Sequence, residues 1–316
     1  TTSKEIEINF KKIFLITVLV ILIPYLIVTF IITKEKFDFN LGKNDTLTIR
    51  VKRQATGEIQ TLPFEEYIVG VLSGDGPTSF ELEALKAQAV AARSYALKKI
   101  ENTKEEDYDV VDTVSNQVYH SEEELQNKWG SDYDSKIKKV KQAVNETSLE
   151  YLDYNGEVVQ AFFFSTSVGK TENSEEVFQS ALPYLRSVDS SWDKETSPVF
   201  NDTTSFSLSD FYTKLNLPYN DKLTTEILET TSTGRIKKIK INGQEMTGND
   251  VSKALNLRSN FFELEQIGTN IKITTTGYGH GVGMSQYGAN GMAKEGYTYD
   301  QILKHYYTGT QIKKIN

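Results

Sequence analysis

The chain has 316 residues, of which 43 are acidic and 35 basic, giving a formal net charge of −8; 38% are hydrophobic and none is cysteine. That composition suits one or two cored domains and excludes wholesale disorder, and its acidic balance argues against a non-specific nucleic-acid binder, which needs a basic face to displace counterions. The lack of cysteine excludes disulfides, thiolate zinc sites, iron–sulfur clusters and thiol nucleophiles.

Ile13 to Ile32 are twenty residues without a charge. As a helix they span roughly 30 Å, the thickness of a bilayer's hydrocarbon core. The run passes into Thr33-Lys34-Glu35-Lys36 without a small-residue cleavage site, so it reads as an uncleaved transmembrane anchor with Pro24 inside it. Three lysines flank it on each side, so charge does not orient it. A short tail before one apolar segment and a long domain after it favours a cell-membrane, single-pass protein with its C-terminal domain extracytoplasmic. That domain is distinctly acidic, with 29 basic against 38 acidic residues after position 45. A neutral or mixed-charge ligand suits it better than a polyanion.

Residues 33–46 read as a tether and the fold begins at 47. Leu47, Ile49 and Val51 alternate with polar residues, and 58–63 follow a glycine turn, which predicts a strand pair. A short helix follows near Glu65–Leu72. Thr78 and Glu81 have capping-box spacing ahead of an alanine-rich stripe (Leu82, Leu85, Ala89, Ala92, Ala96), which predicts a central core helix over Glu81–Glu101. Ser135–Glu150 reads as a second helix, and Glu157–Phe164 as one continuous apolar strand running into the polar loop Ser165–Asn173. About 187–270 have the texture of an α+β insertion, including an Asn242-Gly243 turn. The chain then returns with Ile271 and Ile273, a Gly-rich loop, a helix near Tyr299–Tyr307 and a last strand. The expected architecture is therefore α+β: the anchor (1–32), the tether (33–46), and a mixed α/β domain with core 47–186 and 271–316.

Gly277, Gly279, Gly281 and Gly283 alternate through Gly277-Tyr278-Gly279-His280-Gly281-Val282-Gly283, which lets backbone approach closely. Neither P-loop nor dinucleotide spacing is present. His280 in this loop reads as either a structural residue or a site residue. His120, His280 and His305 are the only histidines and none has a partner at ligand spacing, so no metal is expected. Ser167…Lys170 fits the Ser-x-x-Lys pattern of acyl-serine enzymes, but so does Ser135…Lys138, and no Lys-Thr-Gly follows. Asp75, in Ser73-Gly74-Asp75-Gly76-Pro77, reads from its neighbours as a turn residue.

Four blocks, taken in order, resemble the stage II sporulation protein D family: 62–72, 83–97 (EALKAQAVAARSYAL), Ser165-Thr166-Ser167 with Gly169–Asn173, and 279–289 (GHGVGMSQYGA). The resemblance covers about 62–186 and 274–309. It implies a membrane-anchored lytic transglycosylase that cuts peptidoglycan glycan strands during engulfment of the forespore and needs no cofactor. The partners it implies are a peptidoglycan amidase and membrane proteins of the engulfment complex. The family's catalytic Glu aligns with Asp75, and the residue after it, often Met, with Gly76. Carried over to the substrate side are Ser165, Thr166, Lys170, Glu172, Tyr278, His280, Ser285, Gln286 and Tyr287. Arg93 reads as either an ion-pair or a sugar-binding residue, and Glu83 as either a solvated charge or a site residue. Phe164 stands where the family commonly has His, and Val168 where it has Gly. Three readings are open: an active enzyme using Asp, a weakened enzyme, or a peptidoglycan-binding scaffold.

Overall fold

The computed structural model describes residues 47–315, apart from the side chain of Asp75; the expected anchor and tether lie outside the described residues. Among the described residues no helix is long and apolar enough to cross a membrane. Strands β1 (Thr48–Lys52) and β2 (Ile59–Pro63) form the expected antiparallel pair. β2 turns directly into α1 (Phe64–Asp75). This helix runs three residues beyond Leu72, so Asp75 closes it instead of sitting in a turn, and Gly76 follows in extended conformation.

The central helix α2 (Leu82–Asn102) sits where its alanine stripe predicts and buries Ala84, Ala87, Ala89, Ala91, Ala92 and Ala96. The expected capping box does not form. Glu81 is itself the N-cap, without a side-chain cap, and its N–H donates to Asn290 Oδ1 at 2.8 Å. β3 (Val110–Val111) joins β1 in parallel. α3 (Glu122–Trp129) carries a true capping box, Ser121 with Glu124. α4 (Tyr133–Glu146) ends four residues before the predicted Glu150, because Glu150 already begins β4 (Glu150–Tyr154). The apolar run at 157–164 is not one strand. It splits into β5 (Glu157–Val158), which pairs with β4, and β6 (Phe163–Phe164), which joins a different sheet.

Two one-turn helices, α5 (Ser174–Val177) and α6 (Asp193–Thr196), precede a second apolar cluster. β7 (Asn201–Ser207), α7 (Leu208–Lys214), β8 (Thr225–Thr230), β9 (Ile236–Ile241), β10 (Gln244–Thr247), α8 (Gly248–Ala254), β11 (Phe262–Ile267) and β12 (Asn270–Thr276) form two antiparallel three-stranded sheets, ordered β10-β9-β8 and β11-β12-β7, with two helices. Their cluster includes Phe211, Tyr212, Ile239, Ile241, Val251 and Phe262. Ile271 and Ile273, expected to mark the return to the first core, belong to this cluster instead. The Asn242-Gly243 turn joins β9 and β10 with φ of 46° and 84°, the left-handed pair that a two-residue hairpin requires.

The chain returns through β13 (Met284–Ser285), parallel to β6, then α9 (Gln286–Lys294), α10 (Tyr299–Tyr306) and β14 (Gln311–Lys314), which pairs with β4. α1, α4, α9, α10 and β4 surround α2, whose small side chains let those backbones close in. The fold is α+β with several small sheets, as the sequence predicts.

Candidate active site

The end of α1 meets α2 and the start of α9. A Cβ added at Gly76 would lie 3.1 Å from Gln88 Oε1, 3.2 Å from Gln88 Nε2 and 3.3 Å from Gln286 Nε2. Two side-chain amides from opposite elements therefore crowd the backbone next to Asp75. Tyr287 is one residue further along α9; its ring meets Phe80 edge-on at 5.0 Å, and its N–H donates to the Ser165 carbonyl. The structure thus brings together the end of α1, Ser165 at the end of β6, and Ser285, Gln286 and Tyr287 at the start of α9.

A buried carboxylate ties these loops into place. Asp193 accepts hydrogen bonds from Ser167 Oγ (2.8 Å), Ser190 Oγ (2.6 Å) and Ser285 Oγ (2.5 Å), and from the Ser167 N–H (3.2 Å). Burial pushes its carboxyl up, and the serine hydrogen bonds pull it back without cancelling that shift. It is fully buried, so it braces the loops and does not meet solvent-borne substrate. Ser167 is committed to this knot, which disposes of it as an acyl-serine nucleophile. Ser285 also caps α9, accepting from the Gly288 N–H at 3.3 Å, while Thr166 Oγ1 is paired with Ser197 Oγ at 2.8 Å.

The Gly-rich loop is a backbone seam. Its four alternating glycines have φ between +76° and +103°, and a Cβ on Gly283 would fall 2.0 Å from the Phe162 carbonyl oxygen. The loop aims His280 inward, among the rings of Phe162, Phe164 and Phe178 at 5.5–5.9 Å. Its Nδ1 accepts from the Val282 N–H at 3.1 Å, and burial, with the Arg235 charge adding to it, lowers its pKa to about 4. His280, half-buried in this ring cluster, is therefore neutral at physiological pH. Phe164, where the resemblance expects His, is 5% exposed and part of the same ring cluster.

The other carried-over residues have well-defined partners of their own. Glu172 is buried against Arg235, Nε to Oε1 at 3.1 Å, and also accepts from Thr233 Oγ1; burial raises its pKa. Tyr278 is exposed with the Arg258 guanidinium 5.6 Å from its ring centre, and Lys170 is exposed, its backbone paired with that of Asp189 in an isolated antiparallel β-bridge. Arg93 has no exposed surface. It donates through Nε and Nη2 to Glu65 at 2.9 and 2.8 Å and through Nη1 to the Glu150 carbonyl at 2.9 Å, so its role is structural. Glu83 is more than a solvated charge, for it pairs with Lys86 at 2.8 Å and accepts the Tyr299 N–H at 2.8 Å, pinning the first turn of α10 to α2. Among the described residues no group of three or more acidic or histidine side chains is arranged to hold a metal.

A family model described as stage II sporulation protein matches residues 52–154. Stage II sporulation protein D of Bacillus subtilis (strain 168) is 43% identical over 279 residues, 87% of this chain and 81% of that protein. The chain belongs to the stage II sporulation protein D family. The Bacillus amyloliquefaciens member is 41% identical over the same coverage. A more distant relative, the amidase enhancer of Bacillus subtilis (strain 168), is 30% identical over 77% of this chain and 40% of its own length. The chain is thereby a sporulation protein.

Two residues of this family member's site were not singled out from sequence. Gln88 is 1% exposed and its Nε2 has no hydrogen-bond partner among the described residues, although it lies inside the second family block. A polar residue on the alanine stripe of a core helix was the available signal. Asp193 gave none, because an Asp in a Ser-rich stretch reads as a turn.

Proposed function

We propose that this chain is a peptidoglycan lytic transglycosylase of sporulation, held at the cell membrane by residues 13–32 with its folded part outside the cytoplasm. The observation that carries the reading is the meeting of the Asp75-bearing end of α1 with Gln88 and the start of α9. A protonated Asp75 carboxyl donates its proton to the glycosidic oxygen between N-acetylmuramic acid and N-acetylglucosamine, and the C1–O bond breaks through an oxocarbenium-like state. The muramyl 6-hydroxyl attacks C1 and gives its proton to the Asp75 carboxylate, leaving an anhydro-muramic end and a regenerated acid. The nucleophile is intramolecular, so no second carboxylate has to activate water. The role needs a carboxyl that keeps its proton near neutrality, which a desolvating cleft supplies.

Asp is one methylene shorter than the Glu of the family pattern. Gly76 supports the active reading, because without a Cβ, which would lie 3.1–3.3 Å from the two amides, the end of α1 can sit a few tenths of an ångström closer to them. The relative named an amidase enhancer supports action beside an amidase; the membrane proteins of the engulfment complex are partners that the family resemblance alone implies. The second reading, a glycan-binding scaffold, rests on the shortened arm.

Mass spectrometry of products released from peptide-stripped peptidoglycan decides between them. We expect anhydro-muramic products from the wild type, none from Asp75→Asn and more from Asp75→Glu. Product from the Glu variant alone would establish the scaffold reading, and undiminished product from the Asn variant would remove Asp75 from the mechanism.

A further inference from the structure

Gln88 sits on the buried, alanine-rich side of α2 and is 1% exposed. An amide among alanines in a core is costly unless its N–H groups find acceptors, because burial takes away their water. Gln88 Nε2 is itself buried and has no hydrogen-bond partner among the described residues. The amide lies against the end of α1. Its Oε1 and Nε2 are 3.1 and 3.2 Å from where a Cβ on Gly76 would be, and Gln286 Nε2 comes to the same spot from α9, at 3.3 Å. A donor without open surface does not meet a solvent-borne sugar, so its acceptor belongs to the protein. Gly76 has no side chain to offer and Pro77 has no polar one. The neighbouring side chain with acceptor oxygens is that of Asp75.

We infer that Gln88 is a positioning residue: its Nε2 donates to one oxygen of the Asp75 carboxyl, leaving the other oxygen, which carries the proton, free for the glycosidic oxygen. This rests on the transglycosylase reading above and adds what orients its acid. An amide N–H bonds a carboxylate more strongly than a neutral carboxyl. The bond therefore tightens as the proton leaves Asp75 and charge develops there, and it relaxes when the muramyl 6-hydroxyl returns a proton. Such an interaction lowers the barrier without tightening substrate binding. The alanine stripe takes part as well, since small side chains on either side of Gln88 let α1 close on α2.

Other titratable groups stand near the end of α1. His120 Cδ2 would lie 3.1 Å from a Cβ on Gly74, and Lys128 lines the pocket of about 370 Å³ beside Gly76. Tyr287 follows Gln286 at the start of α9. All three are common to the wild type and the Gln88 variants, so a difference between those proteins belongs to Gln88.

The test joins two measurements on the full chain. One is the pH dependence of kcat and KM on peptide-stripped peptidoglycan. The other is NMR titration of protein containing aspartate labelled at the side-chain carboxyl carbon, in which the Asp75 signal is the one that Asp75→Asn removes. Gln88→Met keeps the length of the side chain and discards the donor. We expect its kcat to fall about tenfold to a hundredfold with KM within about twofold of wild type. The alkaline limb of its kcat profile and its Asp75 titration should both move up by about one pH unit, because the carboxyl has lost a donor that favours its charged form. Gln88→Glu should move both further, since a second carboxyl disfavours that charge. Thermal melting confirms that each variant is folded. A raised KM with kcat and pH profile unchanged would make Gln88 a substrate contact and overturn the positioning role. An Asp75 titration identical in wild type and Gln88→Met would overturn it too. No product from the wild type would overturn the transglycosylase reading by itself, because the titration reads the Gln88 bond without turnover.

Discussion

At the scale of single residues, His280 ties protonation to stability. It is held neutral by its ring cage and by the Arg235 charge, with a folded pKa of about 4 against an ordinary 6.5. Because the folded state favours the neutral form, this contribution is complete above pH 6.5 and is lost as pH falls from there towards 4. Asp193 and Glu172 have raised pKa values and act in the opposite sense, taking up protons in the folded state first on acidification. Comparison of wild type with His280→Phe isolates the histidine, since both carboxyls are common to the two proteins. At pH 7 the variant should be about 1 kcal/mol less stable, for lack of the acceptor that Val282 uses. By pH 4.5 urea denaturation should find that gap closed or reversed. A gap that widens on acidification would mean the imidazole is charged in the folded state.

At the scale of elements, α2 is held by packing on one side and by Arg93 on the other. The guanidinium fork satisfies both Glu65 oxygens in α1 and a carbonyl of β4. We expect Arg93→Ala to lower unfolding stability by about 2–4 kcal/mol, most of it from Glu65 and the Glu150 carbonyl left without their donor. Arg93→Lys should recover less than half of that, because one ammonium cannot reproduce the fork. Denaturant titration reads both; a harmless Arg93→Ala would place the strength of this junction elsewhere. The helix itself was legible in sequence because its periodicity is local. Its cap was not, because the partner, Asn290, is 209 residues away. α9 was hidden inside an apparent Gly-rich loop. Gly288 and Gly291 lower its helix propensity, yet a Cβ at either would strike Tyr306 or Trp192 at 2.2–2.4 Å, so packing overrides propensity there. The apolar run 157–164 looked like one strand since periodicity cannot reveal that its two ends pair with different sheets.

At the scale of the whole molecule, the family blocks made the loops around Asp75 legible, while the connection between the two apolar clusters was not. Glu172 was expected at the substrate because it lies in a family block, but its partner Arg235 comes from the 187–270 segment outside the blocks, and only the fold brings them together. Arg235 also donates to the Gly279 carbonyl at 2.8 Å and to Asn260 Oδ1 at 3.2 Å, so one side chain joins the β6-end loop, the second cluster and the Gly-rich seam. Both charged groups are 1% exposed or less, and burial works against each, raising the Glu172 pKa and lowering that of Arg235. Glu172 Oε2 and Arg235 Nη2 have no hydrogen-bond partner among the described residues, so the pair is incompletely compensated. Such a pair is costly to break and cheap to remove whole. Arg235→Met alone should therefore cost about 3–5 kcal/mol by stranding the carboxylate. The double variant with Glu172→Gln should cost less than the sum of the two single changes by about 1–3 kcal/mol. A double-mutant cycle in urea measures the difference. Strictly additive losses would mean that the two charges are stabilised separately, and that the clusters are joined by the hydrogen bonds of Arg235 to Gly279 and Asn260 alone.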